Sequence, residues 1–143
     1  MSTLERAIEI AAAAHAGQVD KGGAPYVLHP LRVMLSLDTL EQQMTAVLHD
    51  VVEDTSVTLA NPRAEGFPSQ VIEAIQRLTK LPGESRVEAA RRAVRNPLAR
   101  VVKLADVRDN MNIRRIASPT EKDYARLKEY EQVRAILERG LGV

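Results

Sequence analysis

An all-α fold follows from three features of this 143-residue sequence. Apolar residues recur at helical intervals of three and four in one segment after another. No stretch alternates apolar and polar residues for long enough to make a strand. Glycine and proline gather at the ends of the periodic segments and between them. With 45% hydrophobic and 27% charged residues, the chain has the composition of a globular protein, and its length suits one compact helical domain over residues 1–143.

Leu4, Ile8, Ala11 and Ala12 mark a first helix, capped by Ser2 or Thr3 and ending near Gly17. Val19 to Pro25 is a turn-rich loop around Gly22-Gly23. Pro30 suits the first turn of a second helix that reaches about Leu40, with Leu31, Val33, Met34 and Leu37 apolar. A third helix, from about Glu41 to Val52, carries Met44, Val47, Leu48, Val51 and Val52. Thr55 to Phe67 reads as a loop with at most a short helix, because Pro62 and Gly66 interrupt it. Pro68 opens a fourth helix through about Lys80, which faces Val71, Ile72, Ile75 and Leu78 inward before Pro82-Gly83. Glu84 to Asn96 is an Arg-rich amphipathic helix; Arg86, Arg91, Arg92 and Arg95, with Arg100, are expected on a solvated face. Pro97 starts another helix, whose Leu98, Val101, Val102, Leu104 and Ala105 lead into Asp106. Thr120 and Asp123 form a capping pair for a last helix running to about Arg139.

Twenty Lys and Arg against nineteen Asp and Glu leave a formal charge of +1, which advertises neither a nucleic acid nor an anionic membrane as partner. The absence of cysteine excludes disulfides, zinc fingers, iron–sulfur sites and a thiol nucleophile. A metal would have to sit on carboxylates and on the three histidines, His15, His29 and His49. No apolar run is long enough to span a bilayer, and the first residues read as a helix rather than a signal peptide, so a cytoplasmic location is expected.

His49-Asp50-Val51-Val52-Glu53-Asp54 ends an otherwise apolar helix. Unpaired charges are costly to bury, so a core-facing cluster of this kind needs a cation or complete hydrogen bonding. Glu53 lies one turn beyond both His49 and Asp50, and Asp54 one turn beyond Asp50. His29 at the start of the second helix and Asp106 after its apolar stretch offer further donors. Two histidines and two aspartates make a mixed nitrogen and oxygen set, suited to Mn²⁺, Fe²⁺ or Zn²⁺ and poorer for Ca²⁺.

A distant His, an adjacent His-Asp pair and a far Asp resemble the HD superfamily of metal-dependent phosphohydrolases. In order along the chain stand Ala14-His15-Ala16-Gly17-Gln18, Lys21-Gly22-Gly23-Ala24-Pro25-Tyr26 running into His29-Pro30, and His49-Asp50-Val51-Val52-Glu53-Asp54-Thr55. Leu78-Thr79-Lys80 and Lys103-Leu104-Ala105-Asp106 with Asn110-Met111 complete the set. This series resembles the hydrolase domain of RelA/SpoT-type proteins and the small alarmone hydrolases, from about residue 4 to residue 130. The resemblance implies an all-helical HD-domain bundle, Mn²⁺-dependent, that removes the 3′-pyrophosphate from guanosine tetra- and pentaphosphate. It implies His29, His49, Asp50 and Asp106 as metal ligands, and Glu53 with Asp54 as the acidic pair that orients and deprotonates the attacking water. It also implies Lys21, Tyr26 and Asn110 as residues of the nucleotide pocket. His15 is expected to pack or hydrogen-bond behind the site, and Lys103 to be a solvated or structural lysine.

The chain departs from that pattern at defined positions. Asp20 stands where the alarmone hydrolases usually carry Arg, and Val107, Asn112 and Ile113 replace residues of the family's Asp-Arg and Asn-Met-Arg-Thr runs. Arg holds phosphate bidentately, so these replacements favour one alternative, HD hydrolysis of another phosphoester, such as a nucleoside monophosphate. A second alternative is a non-catalytic nucleotide-binding module, against which the retained Glu53-Asp54 pair argues. Arg108, Arg114 and Arg115 are the candidates to supply the missing charge from shifted positions.

Overall fold

The computed structural model describes residues 3–54, 62 and 65–140. Among them lie seven α-helices: α1 (Leu4–Ala14), α2 (Leu28–Leu35), α3 (Leu40–Asp54), α4 (Ser69–Leu78), α5 (Arg86–Ala93), α6 (Pro97–Asn110) and α7 (Glu121–Gly140). A 3₁₀ turn over Ile113–Arg115 precedes α7, and the described residues contain no strand beyond an isolated bridge between Val19 and Pro25. The all-α expectation holds. Most of the expected loop from Thr55 to Phe67, and the side chain of Asp54, lie outside the described residues.

Local chemistry explains where the helices start and stop. Thr3 caps α1, its hydroxyl accepting from the Arg6 N–H at 3.1 Å. The Thr120–Asp123 pair caps α7 as expected: Asp123 Oδ2 accepts from the Thr120 N–H at 2.8 Å, and Thr120 Oγ1 from the Asp123 N–H at 3.4 Å. Helix α2 ends at Leu35 instead of near Leu40. A reciprocal capping box opens α3 there, with Thr39 Oγ1 accepting from the Gln42 N–H at 3.2 Å and Gln42 Oε1 from the Thr39 N–H at 3.2 Å. At the end of α2, Ser36 Oγ donates to the Val33 carbonyl at 2.7 Å, ahead of that box.

Helix α3 is central, touching α1, α2, α4 and α6. Its Val47, Leu48 and Val51 are fully buried with Ala7, Ala11, Val71, Ile75 and Val102. A second cluster, Ala90, Leu104, Val107, Val133 and Leu137, joins α5, α6 and α7. Helix α6 contributes to both clusters, so its polar residues between Val102 and Val107 are held along the seam.

The expected solvated arginine face is not uniform. Arg92 grips Glu84 through Nε and Nη2 at 3.0 and 2.8 Å, and donates to the Arg77 and Thr79 carbonyls at 3.0 and 2.8 Å. It thereby satisfies carbonyls that the end of α4 leaves open. Arg100 binds the Val94 carbonyl through Nε at 2.7 Å and also the Gly140 carbonyl, tying α6 to the ends of α5 and α7. Both are structural bridges, because one guanidinium can satisfy several acceptors that the ends of neighbouring helices bring beside it.

The hydrogen bond from Arg92 holds Glu84 down at about 2 from an ordinary 4.5. That depressed value makes the pair stabilising above pH 4.5, with the contribution lost as pH falls towards 2. Glu84→Gln is expected to cost about 1–2 kcal/mol at neutral pH. Thermal melts of the two proteins should converge as acid is added; a gap that persists at pH 2 would count against this assignment.

Candidate metal centre

Three elements deliver the ionisable cluster. The loop after α1 closes on itself: Asp20 Oδ1 accepts from the Gly22 and Ala24 N–H groups at 2.8 and 3.0 Å, and the Tyr26 N–H reaches the Gln18 carbonyl at 2.9 Å. A Cβ on Gly22 would collide with the Arg115 carbonyl, so only glycine lets the loop lie this close to the turn before α7. The chain then enters α2 with His29 buried in its first turn. Helix α3 supplies His49 and Asp50 at its apolar end, and α6 supplies Asp106; all are buried.

His29 Nε2 is 2.7 Å from Asp106 Oδ1 and 3.6 Å from Asp50 Oδ2. His29, Asp50 and Asp106 each present one donor atom within 4.8 Å of the others. His49 stands beside this set and outside it: Nε2 is 3.1 Å from Asp50 Oδ1, while Nδ1 faces the Ala46 carbonyl at 3.0 Å. His49 and Asp50 are consecutive on one helix and point about 100° apart, so the two do not converge equally on one point.

The electrostatics are those of two buried carboxylates held by cations. Burial opposes charge on His29, but hydrogen bonds to Asp106 and Asp109, with the charges of Asp106 and Asp50, overcome it and raise the ring to about 10. Burial likewise opposes charge on His49, and the Asp50 carboxylate raises it to about 9. Burial opposes the ionised form of Asp50, whose carboxyl is nonetheless held below the ordinary carboxylate range by the charge of His49. Asp106 is held well below that range against its burial, chiefly by Lys103, whose Nζ lies 3.0 Å from Oδ2. Lys103 is therefore a wall of the site and not merely a solvated residue; its place three positions before Asp106 is the sequence signal for this role.

A divalent cation fits this donor set. The Asp50 and Asp106 carboxylates and one His29 nitrogen already converge, with His49 beside Asp50, and all four side chains are buried.

The cluster opens on an inner cavity of about 320 Å³ lined by His49, Asp50, Glu53, Lys80, Lys103 and Asp106, among others. Glu53, itself exposed, accepts from the Lys80 N–H at 3.0 Å, so the segment after α4 fixes it at the cavity edge. An outer cavity of about 640 Å³ shares Tyr26, His29, Arg86, Asn110 and Tyr130 with the inner one. Lys21 lies in the outer cavity, 3.5 Å from Asp123. The Tyr26 hydroxyl donates to Asp50 Oδ2 at 3.0 Å, and Asn110 Nδ2 lies 3.4 Å from Asp106 Oδ1. His15 packs its ring against Tyr26, centroids 5.0 Å apart, with Nδ1 on Gln18 at 2.8 Å. Of the arginines expected to compensate for lost charge, Arg115 lines the outer cavity, while Arg108 pairs with Glu138 and lines neither. Arg114 also lines neither cavity. Sequence reasoning passed over Asp109, Arg126 and Tyr130, and Arg86, expected on a solvated face, lines both cavities; they reach the site from two further helices or across a turn of α6.

Residues 7–138 match the family model described as HD domain. The chain belongs to the HD-domain family. Among HD-domain relatives, it is 35% identical over its whole length to a probable GTP pyrophosphokinase of Mycobacterium leprae. It is 32% identical, over 89% of the chain, to the guanosine-3′,5′-bis(diphosphate) 3′-pyrophosphohydrolase of Vibrio cholerae. The chain spans only about a fifth of these proteins, 20% and 21% of their lengths. A solved structure described as a metazoan ortholog of SpoT that hydrolyzes ppGpp superposes with a TM-score of 0.78. That match has 25% identity and covers 96% of this chain and 86% of the other. A divalent metal is what the HD family implies for this site.

The raised histidines give the metal-free protein a definite pH response. Rings protonated up to about 9 and 10 contribute stability that is fully present below 6.5 and lost as pH rises through those values. The melting temperature of chelator-treated protein should therefore decline between pH 6.5 and 10, and His49→Gln should make that decline shallower between 6.5 and about 9. A flat profile for the starting protein would contradict the assignment.

Proposed function

We propose that this HD-domain chain is a metal-dependent phosphohydrolase that works in the cytoplasm with Mn²⁺ and removes the 3′-pyrophosphate of guanosine tetra- or pentaphosphate. The observation that carries the reading is the buried His29–Asp50–Asp106 set opening onto a cavity edged by Glu53 and by the cations Lys80, Arg86 and Lys103. The names of the Vibrio cholerae relative and the SpoT ortholog support the substrate. His29, Asp50 and Asp106 would hold the ion, with His49 completing the set beside Asp50. A bound divalent ion supplies Lewis-acid stabilisation of phosphoryl charge and a more acidic water. Glu53, steadied by the Lys80 N–H, takes the proton of the attacking water, with Asp54 as its partner in the acidic pair. Lys103 and Arg86 face the charge that develops on the phosphoryl oxygens. Lys21, Tyr26 and Asn110 contact the nucleotide.

One observation favours a second reading. Each cation lining the outer cavity is already ion-paired: Lys21 and Arg126 with Asp123, Arg32 and Arg115 with Asp109, Arg86 with Glu129. A wall whose cations are already engaged with carboxylates suits a less charged substrate, such as a nucleoside monophosphate, better than one carrying two diphosphates.

The purified protein, given Mn²⁺ and a panel of guanine and adenine nucleotides, separates the readings by product. Pyrophosphate from the tetraphosphate supports the first and orthophosphate from a monophosphate the second; saturable binding with no product from any nucleotide defeats both. Asp50→Ala is expected to lose both Mn²⁺ uptake and turnover. Glu53→Gln should keep the ion and lose about 10²–10⁴-fold in kcat. Full turnover by that variant would overturn the role of Glu53.

A further inference from the structure

We propose that Asp109 is a positioning residue of the metal centre, holding His29 so that Nε2 faces Asp50 and Asp106. The inference rests on the metal reading above and adds a residue that the resemblance does not supply. Asp106 and Asp109 stand three positions apart on the same face of α6, and they take the two nitrogens of one ring. Asp106 Oδ1 lies 2.7 Å from Nε2 and Asp109 Oδ2 lies 2.6 Å from Nδ1. A carboxylate on Nδ1 keeps the proton there, and the Nε2 lone pair is left for an ion. The ring cannot turn without breaking a charge-assisted bond.

His49 provides the contrast. Its Nδ1 faces only the neutral Ala46 carbonyl, so of the two rings His29 is the one backed by negative charge and the stronger donor. Asp109 is itself fixed. Arg32 grips it in a fork, Nε to Oδ1 at 2.9 Å and Nη2 to Oδ2 at 3.1 Å. Arg115 reaches the Asp109 backbone carbonyl at 3.1 Å and the carboxylate at 3.6 Å. Both arginines line the outer cavity, so one carboxylate joins the cavity wall to a proposed metal ligand.

A merely structural Asp109 would do no more than anchor Arg32 and Arg115. Mn²⁺ titration of the full chain, followed by electron paramagnetic resonance of the free ion, distinguishes the two roles. Asp109→Asn is expected to weaken Mn²⁺ binding about 10–100-fold. Arg32→Gln, which removes the anchor and leaves the His29 contact, should change it far less. In Zn²⁺-loaded protein, nitrogen-15 shifts should report His29 protonated at Nδ1, and Asp109→Asn should mix the two ring forms. Asp109→Glu keeps a charge opposite Arg32 but lengthens the arm; it serves where the amide variant does not fold, and binding should fall there too. Unchanged Mn²⁺ affinity in the position-109 variants, with a wild-type chain that binds, overturns this proposal alone. A wild-type chain that takes up no divalent ion overturns the metal reading together with it.

Discussion

Two aspartates in the interior constrain the rest of this molecule. Asp50 and Asp106 come from helices that are otherwise packing elements, and ionised carboxylates in such a place are costly unless positive charge meets them. His29, His49 and Lys103 meet that need. The helices must then be placed to about the length of a hydrogen bond, which explains why α3 and α6 are buried so thoroughly on either side of their polar residues. Val47, Leu48 and Val51 fix the register of one; Val102, Leu104 and Val107 fix the other.

Much of this was legible in the order of the residues. His29, the His49-Asp50 pair and Asp106 each interrupt an apolar stretch, and a charged residue with nothing polar around it has to be explained by a partner elsewhere. Helix starts were legible for the same local reason, as at Thr3 and Thr120, where the capping atoms lie within three positions. Asp109 was not legible, because its partners lie 77 and 80 positions away and nothing in Val107-Arg108-Asp109-Asn110 marks one acid as turned inward. Arg92 and Arg100 failed in the same way. An arginine on a polar helix looks solvated until the fold brings open carbonyls beside it.

The departures from the alarmone-hydrolase pattern also gain a physical account at one position. Asp20 spends its carboxylate on the Gly22 and Ala24 N–H groups, building the turn that seats the loop against Arg115. An arginine there has no acceptor to offer those groups and could not make the same turn. The loop has thus exchanged a cation for internal order. The outer cavity as a whole follows the same logic: its arginines are tied to Asp109, Asp123 and Glu129, Arg32 through a two-pronged fork and the others through single contacts. Nothing in the structure explains Val107 beyond its burial in the second core cluster.

The division of labour among the acids follows from where each one sits. A proton acceptor must have a lone pair that is not already committed to holding a cation. Asp50 and Asp106 are held ionised by His49 and Lys103, and that same grip makes them poor acceptors for a further proton. Glu53 lies one turn along α3, outside the buried set yet on the same cavity, with a backbone N–H as its fixed partner. That backbone N–H orients the carboxylate at the edge of the cavity. The position of Glu53, and not its residue type alone, is what separates the proposed base from the proposed ligands.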